Sequence, residues 1–283
     1  MCGRYTVITK LKVIEKRFQV DATEVKDHFT QNVNIAPGDK APVVTSSDPD
    51  KLQLFTFGMS PSWAKKRMYL INARSEGDHN KENDPQFSGS KGIIQKPSFR
   101  KPIRSQRCLV IADAFIEGPQ KERLSKPYLI YSKDKKRPFA FAGIWDEWVD
   151  QKTGETHQGF AIITTTPNAL LQKVGHHRSP VIIDPENERQ WLDLNTPLHE
   201  VTSLLRPFPP EDFNAYPISA DIKKPGNKDP YLLQPIGERL VTEYDYILFQ
   251  ELDLQGMGES PAKRRRENEN QDENKGDEQL NLF

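Results

Sequence analysis

Cysteine is scarce in this chain: Cys2 and Cys108 are the only two among 283 residues. Two cysteines are too few for a disulfide framework, which excludes the class of small secreted proteins that disulfides hold together. Cys108 lies in the apolar run 107–112, which predicts a buried strand, so we expect its thiol to be an inert part of the core. Cys2 stands directly behind the initiator methionine, and its position calls for a different interpretation.

Long apolar runs and metal-ligand spacings are also missing. No run approaches the ~20 residues that span a bilayer, and the polar start with Lys10 and Lys12 is not typical of a secretory signal. We therefore predict a soluble, cytoplasmic protein with no membrane partner. Because HExxH, HxxxH and CxxC spacings do not occur, we predict that the protein uses no metal and no cofactor.

Short strands dominate the predicted elements, and helices are few. Helical spacing of apolar residues predicts short helices at about 10–18, 167–173, 186–193 and 197–205. Apolar runs between turn residues predict strands near 42–45, 52–57, 107–112, 127–132, 139–144, 159–165 and 213–219. No alternation of strand and helix suggests a doubly wound sheet. We predict an α+β fold: a single domain with a mainly antiparallel, barrel-like β core flanked by short helices.

Cys2 offers chemistry that no internal residue has. If Met1 is removed, Cys2 carries a free α-amine and a thiol on adjacent carbons. The amine of such a 1,2-aminothiol condenses with an aldehyde to an imine, and the thiolate then closes a thiazolidine ring. Reference pKa values of about 7.7–8.0 for an α-amine and about 8.5 for a thiol keep both groups reactive near neutral pH. Cys2 is therefore the candidate nucleophile.

Thiazolidine formation also needs groups that move protons and hold the reactants. Glu117 ends an apolar run where a predicted strand passes into a loop, a suitable place for an acid or base. His176 and His177 precede another apolar run, and histidine titrates near neutral pH. Adjacent residues do not share a face of a strand or helix, so we expect one of the two histidines to point into the site. Asn72 offers an amide that can hold the amine or a sugar.

Basic residues outnumber acidic ones between Trp63 and Arg107, where eleven Lys and Arg stand against four Asp and Glu. The whole chain has a net charge of zero, so this local surplus predicts a phosphate-contacting surface, although a solvated basic face has the same pattern. We assign Arg74 and Arg100 to this surface, with Trp63 as a ring that stacks on an unpaired base. Residues 76–92, rich in Gly, Asn, Asp, Ser and Lys, predict an exposed loop.

Nine short motifs follow one another along the chain. They are Met1-Cys-Gly-Arg4, Asn34-Ile-Ala-Pro37, Pro61-Ser-Trp63, Asn72-Ala-Arg74-Ser-Glu76, Arg107-Cys-Leu109, Phe115-Ile-Glu117, Phe141-Ala-Gly-Ile-Trp145, Ile163-Thr-Thr165 and His176-His-Arg-Ser-Pro180. In this order they resemble the motifs of the SOS response-associated peptidase (SRAP) family, and the resemblance covers roughly residues 2–220. It implies a single β-rich, barrel-like domain that covalently captures abasic sites in single-stranded DNA.

The resemblance also implies roles for individual residues. Cys2 would form the thiazolidine, and Asn72 would hold the N-terminal amine and the sugar. Glu117 would act as the acid and base, and His176 would protonate the sugar oxygen and assist ring opening. The family name would reflect self-removal of Met1.

The resemblance further implies contacts with DNA. Arg4 and Arg74 would contact the phosphates that flank the lesion. The chain has Phe57 where the family usually has Trp, Ile116 and Gly118 where aromatic residues flank the glutamate, and Ser179 where Met is usual. These departures concern contacts with DNA and leave every proton-transfer group in place.

The C-terminal segment differs in character from the rest of the chain. We predict a catalytic domain over residues 1–250, a disordered charged linker over 251–278 and a C-terminal binding peptide at 279–283. The anchors Gln279, Leu280, Leu282 and Phe283 resemble the pentapeptide that binds the bacterial sliding clamp. The linker of 28 residues spans about 30 Å root-mean-square, which decouples the peptide from the domain. This predicts a monomeric bacterial protein held near replication forks, associated with the nucleoid.

Two other function classes stay open at this point. An N-terminal-cysteine peptidase, autoproteolytic or acting on peptides, would use the same thiol but would need an oxyanion hole and a substrate cleft. A non-covalent adaptor would bind damaged DNA and the clamp without forming a cross-link. The local basic surplus favours DNA over a peptide substrate.

Overall fold

The computed structural model of the protein describes residues 2–133 and 137–243. The predicted linker at 251–278 and the peptide at 279–283 lie outside the described residues, as does Met1. In the part of the chain that is described, no helix is both long and apolar enough to cross a membrane.

Strands outnumber helices among the described residues. In chain order the strands are β1 (Tyr5–Val7), β2 (Asn32–Ile35), β3 (Lys40–Thr45), β4 (Leu52–Phe57), β5 (Asn72–Arg74), β6 (Arg107–Ala112), β7 (Ala114–Glu117), β8 (Tyr128–Ser132), β9 (Phe139–Val149), β10 (Thr156–Thr165), β11 (Ser179–Pro180), β12 (Ile182–Ile183) and β13 (Phe213–Pro217). The α-helices are α1 (Leu11–Phe18), α2 (Pro102–Ser105), α3 (Ala169–Val174), α4 (Glu188–Leu192) and α5 (Leu198–Ser203). The predicted helices correspond to α1, α3, α4 and α5, and each predicted strand has an observed counterpart.

Five strands close into a barrel, in the order β10, β4, β3, β6, β9 and back to β10. Four of the five pairings are antiparallel, and the pairing of β10 with β4 is parallel. Every residue of β6 is buried, since this strand is covered on both faces. Aromatic rings meet in the core: Phe57 stacks on Phe160 at 5.3 Å and meets the edge of Tyr5 at 5.5 Å. The prediction of a mainly antiparallel, barrel-like core is confirmed.

A second, antiparallel sheet packs beside the barrel, in the order β13, β8, β7, β1 and β2. The chain crosses from β6 in the barrel to β7 in this sheet at Asp113. The carboxylate of Asp113 accepts hydrogen bonds from the backbone N–H groups of Ile8 and Thr9 at 2.6 and 2.8 Å. A buried carboxylate must be satisfied in this way, and the result is that the N-terminal strand β1 is fixed alongside β7.

Candidate active site

The pairing of β1 with β7 brings the N-terminus to Glu117. Tyr5 lies opposite Phe115, and the N–H of Ile116 donates to the carbonyl of Arg4 at 2.9 Å. Because the strands run antiparallel, the residues that precede Tyr5 lie beside the residues that follow Phe115. Cys2 therefore lies close to Glu117. Cys2 is only 1% exposed, and burial, followed by the charge of Glu117, raises the pKa of its thiol well above the ordinary value. The thiol at rest is therefore protonated.

Asn72 holds the backbone of the same residue. Strand β5 adds to the barrel by pairing in parallel with β10, with Asn72 opposite Ile162. From this position Asn72 Nδ2 donates to the carbonyl oxygen of Cys2 at 3.0 Å. Its Oδ1 is buried and has no hydrogen-bond partner among the described residues. The amide oxygen can therefore accept one further hydrogen bond.

Glu117 and His176 form a buried acid–base pair. Glu117 Oε2 lies 3.3 Å from His176 Nε2. His176 Nδ1 lies 2.8 Å from the carbonyl oxygen of Gly118. A carbonyl only accepts, so Nδ1 carries the proton, and Nε2 of the neutral ring is an acceptor that faces the glutamate.

The protonation states of this pair follow from its burial. Burial raises the pKa of Glu117 to about 7 and lowers the pKa of His176 to about 4, since each loses the hydration of its charged form. Near neutral pH the pair thus holds its exchangeable proton on the glutamate. A carboxyl group with a pKa near the working pH can both give and take a proton.

The end of α3 sets the position of both histidines. Gly175 ends this helix with φ 79°, a left-handed conformation that favours glycine, and its carbonyl accepts from Gln120 N–H at 3.0 Å. The rings of His176 and His177 lie 5.0 Å apart, and both line the same cleft. The prediction that one of them points into the site stays a prediction, and His176 is the one whose Nε2 faces Glu117.

A buried ion pair, not predicted from the sequence, supports this turn. Arg178 Nη2 donates to Glu76 Oε2 at 2.8 Å, and both side chains are almost completely buried. Thr165 Oγ1 donates to the other oxygen of the carboxylate at 3.3 Å. The prediction of an exposed loop over 76–92 is therefore wrong at its first residue, because the charge of Glu76 is neutralised by an arginine 102 positions away in the chain. Composition of a local segment carries no signal of such a partner.

An open cleft of about 1190 Å³ lies over the pair. Its walls include Gly3, Glu117 and both histidines, and they carry the two arginines assigned to phosphates, Arg4 and Arg74. Arg4 Nη2 donates to the carbonyl of Lys223 at 3.3 Å, and Arg74 Nη1 donates to that of Asn80 at 3.0 Å. The cleft joins a proton-transfer pair to cationic side chains.

Trp63 and Arg100 lie in a separate depression of about 320 Å³ together with Pro97 and Lys101. The ring of Trp63 is 61% exposed, so it is not part of the core. Arg107 belongs to the same basic segment but is buried, with its guanidinium donating to backbone carbonyls that include Trp191 O at 2.6 Å. The predicted basic surface therefore excludes Arg107. This side chain instead stabilises the C-terminal end of α4.

Comparison with known proteins identifies the family. Residues 1–225 match the sequence profile described as SOS response associated peptidase (SRAP). The chain is 31% identical over 239 residues to abasic site processing protein YoqW of Bacillus subtilis strain 168, covering 83% of this chain and 99% of that protein. It is 29% identical over 244 residues to abasic site processing protein HMCES of Gallus gallus, covering 74% and 67%. A crystal structure of a protein from Bacteroides thetaiotaomicron has a similar fold, with TM-score 0.69, 32% identity and coverage of 83% and 99%. The chain belongs to the SRAP family.

Proposed function

We propose that this protein captures abasic sites in single-stranded DNA as a thiazolidine formed by Cys2 after removal of Met1, and so protects the lesion during replication. The observation that carries the proposal is the proximity of Cys2, which is bonded to Asn72, to the Glu117–His176 pair that lines the cleft. The names of the relatives, which refer to processing of abasic sites, support the same substrate.

The first half of the reaction makes an imine. The α-amine of Cys2, held beside Asn72, attacks the aldehyde carbon of the opened sugar to give a carbinolamine. Glu117, protonated near pH 7, gives its proton to the departing hydroxyl, which leaves as water, and an iminium ion remains. His176, as a neutral ring, relays the proton between Glu117 and the sugar oxygen and thereby assists ring opening.

The second half closes the ring. The carboxylate left on Glu117 takes the proton of the Cys2 thiol, and the thiolate attacks the iminium carbon. A carbon–sulfur bond forms, the nitrogen becomes a secondary amine, and Glu117 is protonated again. One water leaves for each aldehyde captured, so the step needs no oxidant and no cofactor. Self-removal of Met1 would use the same thiol.

Intact mass spectrometry tests the chemistry directly. We expect the purified protein to lack Met1, and we expect incubation with an abasic oligonucleotide to add the mass of that oligonucleotide minus one water. An oligonucleotide with an intact base in the same place gives no addition. Methionine still present on fully reactive protein would contradict the proposal.

Trp63 provides a prediction about binding rather than chemistry. Base stacking on an aromatic ring contributes about 1–3 kcal/mol per base, so Trp63→Ala weakens binding to single-stranded DNA by about 5- to 150-fold. The cross-linking rate at saturating DNA stays unchanged, since Trp63 does not line the cleft. Fluorescence anisotropy measures the affinity. The control is Tyr231→Ala, an exposed aromatic that lines neither cavity, and an equal loss in the control would remove the role of Trp63.

The C-terminal peptide provides the prediction about a partner. We propose that residues 279–283 bind the replication sliding clamp and that residues 251–278 link them to the domain. Deleting 279–283 abolishes capture by immobilised clamp and leaves cross-linking of a free oligonucleotide unchanged. A variant with the same five residues in scrambled order behaves as the deletion does. Clamp binding that survives both changes would show that the contact lies elsewhere.

A further inference from the structure

A loop for which the sequence predicts no role forms one wall of the cleft. Residues 119–125, between β7 and β8, line it together with Lys223 from the short 3₁₀ helix Ala220–Lys223. The loop is tied at several points: Arg123 N–H donates to the carbonyl of Pro119 at 2.7 Å, and Lys223 Nζ donates to Ser125 Oγ at 2.7 Å. The carbonyl of Lys223 in turn accepts from Arg4. The loop and the 3₁₀ helix Ala220–Lys223 therefore hold each other in place.

Gly118 fixes the path of this loop. A Cβ at Gly118 would lie 1.8 Å from the carbonyl oxygen of Arg123, so the loop folds back to a distance that only glycine permits. Arg123 itself has φ 52°, the left-handed region that few non-glycine residues adopt. Backbone strain of this kind is retained where the surrounding structure enforces it, often at a binding site. The side chains of the loop are thus presented from a fixed backbone.

This wall of the cleft carries more positive than paired negative side chains. Lys126 pairs with Glu122 at 3.7 Å, and Lys224 pairs with Asp221 at 3.3 Å. Lys121, Arg123 and Lys223 face no described carboxylate within ion-pair distance, and all three line the cleft. We call these three residues the basic rim. Three cations whose charge no described carboxylate neutralises, on a fixed backbone beside the reactive residues, form a surface for an anionic polymer.

We infer that the basic rim binds successive phosphates of the single strand next to the captured lesion. The inference deepens the proposed function and depends on it for the identity of the strand. The rim comes from outside the basic segment 63–107, so the strand is held from a second part of the chain in addition to Arg74. Glu117 and His176 themselves lie at the end of β7 and after α3, outside the rim.

Salt dependence of binding tests the rim by counting phosphates. The probe is a single strand with a tetrahydrofuran abasic analogue, which has no aldehyde and therefore binds reversibly. The variant combines Lys121→Gln, Arg123→Asn and Lys223→Gln, and asparagine is chosen because it tolerates positive φ. Single-strand binding loses about 0.7 in the slope of log K against log salt for each phosphate contact removed. The slope should therefore fall in magnitude by about 2, and affinity at 0.1 M salt should fall at least about tenfold.

A matched control and a second measurement make the outcome decisive. The control neutralises Lys12, Lys16 and Lys152, which are exposed but do not line the cleft, and it should leave the slope unchanged. Cross-linking of a true abasic strand by the wild type tests the proposed chemistry separately from binding. An unaltered slope overturns the inference, as does an equal fall in the control. Rim-dependent binding without any cross-link by the wild type would support the rim while removing the proposed chemistry.

Discussion

Cys2→Ala is expected to abolish the heat-stable adduct with abasic single-stranded DNA, a loss of roughly 10³-fold or more. Alanine keeps an α-amine, so the imine can still form, but no thiol remains to close the ring. Thiol and amine on adjacent carbons react with the high effective concentration of an intramolecular step, which an external thiol does not replace. Reversible binding of the strand persists. The measurement is a denaturing gel after heating, with borohydride trapping to detect the imine.

Cys108 is the matched control for this experiment. It is the other free cysteine of the described chain, it lies in β6, and it is fully buried. Cys108→Ala removes an equal thiol with no amine beside it, so the adduct should form at the rate of the wild type. A heat-stable adduct on Cys2→Ala, or its loss on Cys108→Ala in folded protein, would contradict the assignment of the nucleophile.

Much of the fold could be predicted from local sequence because its strands are short, apolar and bounded by turn residues. The run 107–112 identifies β6, and helical spacing identifies α1 within a residue of its start. The closure of the barrel could not be predicted. It depends on β4 and β10 pairing in parallel between residues 103 positions apart in the chain, and such long-range register leaves no periodic signal in either strand.

The candidate site could likewise be predicted from the sequence only in part. Cys2, Asn72, Glu117 and His176 were predicted from chemistry and motif order, and the structure places them together. The pairing of Glu76 with Arg178 was missed, since a buried charge becomes acceptable only through a partner that folding supplies. The loop over Gly118 was missed as well, because a close approach between two backbones is a property of the folded chain.

Glu117→Gln should slow adduct formation by about 10²–10³-fold, the usual contribution of a positioned acid or base. Glutamine keeps the size and the hydrogen-bonding capacity of the side chain but cannot donate and recover a proton. The wild-type rate should change slope near pH 7, where Glu117 titrates, and the variant should lose this inflection. Single-turnover kinetics between pH 5 and 9 make the comparison. An unchanged rate with the inflection retained would assign proton transfer to another group.

The same substitution should make the protein more stable above neutral pH. A carboxyl whose pKa rises from 4.5 to about 7 on folding binds protons more tightly in the native state, so stability falls as pH rises through that range. The loss amounts to about 3 kcal/mol, and glutamine does not incur it. The gain of Glu117→Gln in the free energy of unfolding should therefore grow from near zero at pH 4.5 to about 3 kcal/mol at pH 8. Denaturant titrations at several pH values measure this difference.

Glu76→Gln is the control that separates catalysis from burial. Both glutamates are buried, but Glu76 is bound to Arg178, so its removal leaves an uncompensated charge and should destabilise the protein by about 3–5 kcal/mol. The change in the free energy of unfolding should therefore have opposite signs for the two Glu→Gln substitutions. This would show that the buried carboxylate of Glu117 destabilises the fold, whereas that of Glu76 does not. If Glu117→Gln instead destabilises the protein at pH 8, the carboxylate of Glu117 is satisfied by hydrogen bonds in the native state. That result would remove the physical reason for the raised pKa of Glu117 and for its role in proton transfer.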